Sequence, residues 1–147
     1  MESTIGTILI ADDNLNDVQL IEIAFKTLGV PNPIRVAADG KDAIAYLHGE
    51  GEYADRSQYP LPFIVILDWT FLLRSGLEVL RSVRNSENLG KLCIVVMTSS
   101  PDPQSRETAI RAGADLFLQK PTGGFVECMR QIIEFWHHCE MPKQLAG

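Results

Sequence analysis

Unbroken aliphatic runs alternate along the chain with longer segments whose apolar residues return every three or four positions. The runs at 7–11, 63–67 and 92–97 have no polar alternation, as expected of strands buried on both faces, and shorter ones stand at 34–37 and 116–118. Between them the spacing predicts helices. Asn14 caps the first, Asp17 favours its positive first turn, and Val18, Ile21, Phe25 and Leu28 mark an apolar face that ends at Gly29. Asp39 caps a second helix through Leu47, and a third follows Gly76. Asp102 and Pro103 open a fourth that Gly113 closes, and a fifth runs over about 124–138.

Strands alternating with helices predict one α/β domain over 1–147, a five-stranded parallel sheet covered on both faces and joined by right-handed crossovers. Residues 49–62, rich in Gly, Pro and charge, break the rhythm and read as an exposed loop lengthening one crossover, and an extension follows residue 138. No internal boundary or low-complexity tract interrupts the pattern.

Composition narrows the class. With 46% hydrophobic and 22% charged residues and a mean hydropathy of +0.03, the chain has the balance of a folded soluble domain. No apolar run approaches the ~18 residues that span a bilayer, and residues 1–7 lack a secretory pattern, so a cytoplasmic protein with no membrane partner is expected. The net charge of −6, with no basic stripe, argues against nucleic acid as a partner. Cys93, Cys128 and Cys139 are odd in number and far apart, which suits reduced thiols better than a disulfide or zinc site. The adjacent His137, His138 and Cys139 read as a solvated helix end.

In open α/β sheets the functional crevice lies beyond the carboxyl ends of the strands. The residues there are Asp12, Asp13, Asp68, Thr98 and Lys120. Singly, each has a plain reading as a helix cap, turn residue or loop lysine. Together they place three carboxylates at one edge, where each close pair repels by ~4 kcal/mol at an effective dielectric of ~20, a cost that calls for a cation. Mg²⁺ fits, with Asp13 and Asp68 as direct ligands and Asp12 through water. Lys120 adds a fixed positive charge, and Thr98 a hydroxyl for a phosphoryl oxygen. This equipment suits in-line attack of a carboxylate on phosphorus. Asp68, ending the central apolar strand, is the preferred nucleophile, although no sequence rule alone separates it from the Asp12-Asp13 pair.

As a set, Asp12-Asp13, Ile64-Val65-Ile66-Leu67-Asp68, Gly76, Met97-Thr98-Ser99 and Phe117-Leu118-Gln119-Lys120-Pro121 resemble the CheY-like receiver domains of two-component response regulators over essentially the whole chain. The resemblance implies a flavodoxin-like sheet of order 2-1-3-4-5 and phosphorylation of Asp68 by a sensor histidine kinase. It implies Mg²⁺ held by Asp12, Asp13, Asp68 and the Thr70 carbonyl, a switch pair of Thr98 and Phe117, and a cis Lys120-Pro121 bond. Such a protein is a signalling switch rather than an enzyme, catalysing only its own phosphorylation and slow dephosphorylation. A chain of 147 residues has no room for an effector domain, so its signal leaves through another molecule. Residues 49–62 and the extended C-terminus more narrowly resemble the Rcp-type regulators of cyanobacterial phytochromes, which implies a light-sensing kinase upstream.

Two positions depart from the family pattern: Phe71-Leu72-Leu73 where a Met-Pro pair is usual, and Phe117 where tyrosine is commoner. A phosphatase of the haloacid-dehalogenase type needs a second acid where this chain has Thr70, and an FMN carrier would not set Asp12 and Asp13 against a phosphate. A receiver that works without phosphorylation has no reason to keep all the acids and the lysine. On the last helix Phe125, Val126, Met129, Ile132, Ile133 and Trp136 form a core stripe. Cys128 and Phe135 widen it, which predicts a homodimer through the C-terminal helix face.

Overall fold

The aliphatic runs form strands and the periodic segments form helices. In chain order they are β1 (Ile8–Ala11), α1 (Leu15–Thr27), β2 (Ile34–Ala37), α2 (Gly40–His48), β3 (Ile64–Asp68), α3 (Gly76–Arg84), β4 (Cys93–Thr98), α4 (Pro103–Ala112), β5 (Leu116–Gln119) and α5 (Val126–Trp136). The computed structural model describes residues 6–70, 75–99 and 102–138. All strand pairs are parallel and the order is β2-β1-β3-β4-β5, as the sequence pattern and the resemblance predict.

Local chemistry fixes the helix ends. Asn14, Asp39 and Asp102 accept from the backbone N–H three residues on, and Ser75 with Glu78 closes a reciprocal capping box at α3. Gly49 and Gly113, at φ 68° and 112°, end α2 and α4 in a conformation that costs other residues strain.

Alternate strand residues feed two cores. Leu9, Val65 and Val96 face the side covered by α2, α3 and α4, and Ile8, Ile10, Ile66 and Val95 face α1 and α5. On that second side Trp136 stacks on Phe25 at 5.8 Å and meets the edge of Phe63 at 5.1 Å, seating the end of α5. Cys128 and Phe135 are half-buried against the same core, so α5 turns more of its apolar arc onto the domain than a narrow stripe would.

Residues 49–62 are less loose than the composition suggests. They contain a 3-10 turn, Gly51–Ala54, and pack Tyr53 and Tyr59 against Tyr46 with ring centroids 4.9 and 6.0 Å away. The Arg56 guanidinium donates to the carbonyls of Tyr46, Leu47 and Tyr59 at 2.8, 2.9 and 3.1 Å, capping the C-terminal end of α2. A second half-buried guanidinium, Arg84 at the end of α3, donates to the carbonyls of Gly90, Leu92 and Gly113 and to Asp115.

Two expectations are corrected. Cys93 is disulfide-bonded, whereas Cys128 is free. Separation along the chain misled here, because distance in sequence does not fix distance in the fold. No peptide bond among the described residues is cis, so Lys120-Pro121 is trans, the isomer favoured by about 0.5–1 kcal/mol at X-Pro bonds. The Phe71-Leu72-Leu73 segment and the extension after residue 138 lie outside the described residues.

Candidate functional site

Register brings the polar residues together. Ala11 pairs with Leu67, Asp68 with Met97 and Thr98 with Gln119, so Asp12, Asp68, Thr98 and Lys120 all fall at the carboxyl edge of the sheet. All four are buried. Carboxylate oxygens of Asp12, Asp13 and Asp68 lie within 4.8 Å of one another, a hard oxygen donor set suited to Mg²⁺. Asp13, Asp68, Thr70, Ser99 and Lys120 are among the residues lining a cleft of about 470 Å³.

The Lys120 ammonium donates to Asp12 Oδ2 and Asp17 Oδ2, both at 2.8 Å, and stands 3.7 Å from Asp68 Oδ1. Burial works to lower its pKa, but the hydrogen bonds to Asp12 and Asp17 outweigh burial and raise it. Burial and the facing Asp12 carboxylate push Asp68 up to about 7, against the opposing pull of Lys120. Three acids therefore share too little positive charge, a deficit that a divalent cation at their oxygens would relieve.

The backbone holds Asp68 in place. Asp68 Oδ1 accepts the Thr70 N–H at 3.3 Å, Trp69 N–H donates to the Met97 carbonyl at 2.9 Å, and Gly76 N–H donates to the Trp69 carbonyl at 3.0 Å. Gly76 permits a close approach, for a Cβ there would stand 2.7 Å from the Asp68 carbonyl oxygen and 2.8 Å from Trp69 Cα. Phe117 is buried among the α3 and α4 side of the core, with the Arg106 guanidinium 5.9 Å over its ring.

The structure thus gathers Asp12, Asp13, Asp68, Thr98 and Lys120, sets Thr70 on the cleft wall, and places Phe117 one strand away. Sequence reasoning assigned Asp17 only to the dipole of α1 and overlooked Arg106. An acid at the fourth residue after Asp13, one helical turn into α1, was the available signal for Asp17.

Parallel β2-β1-β3-β4-β5 topology with an acidic cluster and a lysine at the carboxyl edge defines a class, and the chain belongs to it: the response regulator receiver domain family, whose model matches residues 8–132. It is a receiver-domain signalling switch. Response regulator Rcp1 of Synechocystis sp. is 25% identical over 131 residues, covering 88% of this chain and 87% of the relative. The probable methanogenesis regulatory protein FilR2 of Methanothrix harundinacea is 33% identical over 131 residues, 88% of this chain and 82% of the relative. The crystal structure of the phosphorylated cyanobacterial phytochrome response regulator RcpA superposes with a TM-score of 0.83 at 27% identity, over 90% of this chain and 94% of that one. By sequence and structure the chain is similar to the stand-alone Rcp1- and RcpA-type regulators.

Proposed function

We propose that this chain is a single-domain response regulator in which Asp68 accepts a phosphoryl group from a histidine kinase. The observation that carries the reading is the cluster of Asp12, Asp13 and Asp68 oxygens beside the Lys120 ammonium. An Asp68 carboxylate oxygen forms the new P–O bond as the P–N bond to the kinase histidine breaks. Asp12, Asp13, Asp68 and the Thr70 carbonyl would hold Mg²⁺, which when bound neutralises charge on the transferring group. Lys120 and the Thr98 hydroxyl take the remaining phosphoryl oxygens. Movement of Thr98 toward the phosphoryl group, with Phe117 adjusting beside it, passes the change to a downstream partner. No helix among the described residues is long and apolar enough to cross a membrane.

Acetyl phosphate separates this reading from its rivals. With Mg²⁺ the protein should gain one phosphoryl group, about 80 Da by intact mass, and without Mg²⁺ it should gain none, as expected for acyl-phosphate formation at a metal-dependent carboxylate. Uptake that ignores Mg²⁺, or none in either case, would sink it.

The similarity to Rcp1 and RcpA supports a phytochrome-type kinase as the donor. Label transfer from such a kinase that differs between red and far-red light is the expected result, and transfer indifferent to light would remove that assignment. Val126, Cys128, Ile133 and Phe135 pack only partly on the domain, and the apolar surface they leave uncovered along α5 supports a homodimer over that face. Phe135→Asp should then halve the mass seen by light scattering, and a wild type that is monomeric at tens of micromolar, with or without beryllofluoride, ends the dimer.

A further inference from the structure

Asp17 sits in the first turn of α1, where its backbone N–H already serves the Asn14 cap. Its side chain has no part in that cap. Instead Asp17 Oδ2 lies 2.8 Å from the Nζ of Lys120, 103 residues away, in a contact whose lysine is only 8% exposed and whose acid is 21% exposed. Lys120 therefore has two partners at 2.8 Å, Asp12 and Asp17, and keeps Asp68 at 3.7 Å. The interaction of a carboxylate with a helix N-terminus needs no such aim, because any acid in the first turn satisfies it.

We propose that Asp17 is a positioning residue that draws Lys120 toward α1 and so competes with the phosphoryl group on Asp68 for the same ammonium. The inference rests on the receiver reading above and deepens it, since it concerns what sets the strength of that site. Lys120 has three protons to donate, and in the unphosphorylated protein two face Asp12 and Asp17. A phosphoryl group on Asp68 brings oxygens that need the same donor. Removing the Asp17 charge leaves Lys120 between Asp12 and Asp68, closer to where those oxygens arrive.

Beryllofluoride titration with Mg²⁺, followed by the fluorescence of Trp69, the residue after Asp68, reads the competition. Asp17→Asn should bind the mimic about threefold to fivefold more tightly than wild type, the upper part of what a partly exposed ion pair supplies, and Asp17→Glu should fall back toward wild type. Loss of a negative charge favours any anion, so the decisive comparison uses Lys120→Gln. In that background Asp17→Asn should change affinity by less than about twofold, because the competition has lost its object. Equal gains in both backgrounds overturn the inference while leaving the receiver reading intact, whereas a wild type that takes up no beryllofluoride overturns both. Should Lys120→Gln fail to fold by circular dichroism, the Lys120 ¹⁵Nζ resonance replaces the cycle. Asp17→Asn must then move it toward its beryllofluoride-bound position, and an unmoved resonance refutes the competition.

Discussion

Asp68→Asn is expected to take up no phosphoryl group from acetyl phosphate and, without metal at neutral pH, to be more stable than the wild type. The first effect follows from losing the nucleophilic oxygen, since an amide does not form the acyl phosphate. The second follows from burial and the Asp12 charge, which push the Asp68 carboxyl up to about 7 in the folded protein, against about 3.9 in an unfolded chain. A proton bound more tightly by the folded state stabilises it fully below the unfolded pKa. That contribution is lost as pH rises through the folded value. Near pH 4 the two proteins should therefore be alike, and by pH 8 the asparagine variant should lead by on the order of 1–3 kcal/mol, a rise of several degrees in melting temperature for a domain of this size. Mg²⁺ at millimolar concentration should raise the wild type and not the variant. Thermal unfolding at both pH values, with and without Mg²⁺, checks this. Parallel pH curves for the two proteins would mean that Asp68 does not bear the charge strain of the site.

Gly76→Ala has the opposite sign and a comparable size. Helix propensity alone favours alanine over glycine by about 1 kcal/mol inside a helix. At Gly76 the added Cβ would lie 2.7 Å from the Asp68 carbonyl oxygen, 2.8 Å from Trp69 Cα and 2.9 Å from the Trp69 carbonyl oxygen. All three are backbone atoms, so no side chain can turn away, and either α3 or the end of β3 must shift. A net loss of about 2–4 kcal/mol is expected, in the range of overpacking at a buried site, together with slower phosphoryl uptake because Asp68 moves with its backbone. Urea unfolding measures the first and intact mass against time the second. A neutral or stabilised variant would show that α3 does not press on Asp68.

These two residues also mark what the sequence made legible. Asp68 was readable because an aliphatic run ends on it, and parallel strands deliver their last residues to one edge. Asn14, Asp39, Asp102 and Gly113 were equally readable, since capping depends on near neighbours. The contact from Asp17 to Lys120 was not, because α1 and β5 meet only through the folded sheet. Tyr53 and Tyr59 fall in the stretch that composition marks as an exposed loop, yet their rings leave water by packing on each other and on Tyr46, and composition carries no record of such a cluster. Cys93 shows the same blindness, for spacing along the chain does not say which thiols the fold brings together.

The Arg84 guanidinium has a mechanical meaning as well as a structural one. It grips the carbonyl of Gly113 with two N–H groups at 2.7 and 3.0 Å, just past the end of α4, and holds the entry to β4 through Leu92. That anchorage lies at the sheet edge opposite the carboxylates. A helix of ten residues, about 15 Å long, fastened at one end behaves as a lever with a fixed fulcrum. In the switch proposed above, displacement arising near Thr98 would be greatest at Asp102 and Pro103 and would vanish toward Gly113, so the stroke would be delivered at the tip of α4 nearest the carboxylates.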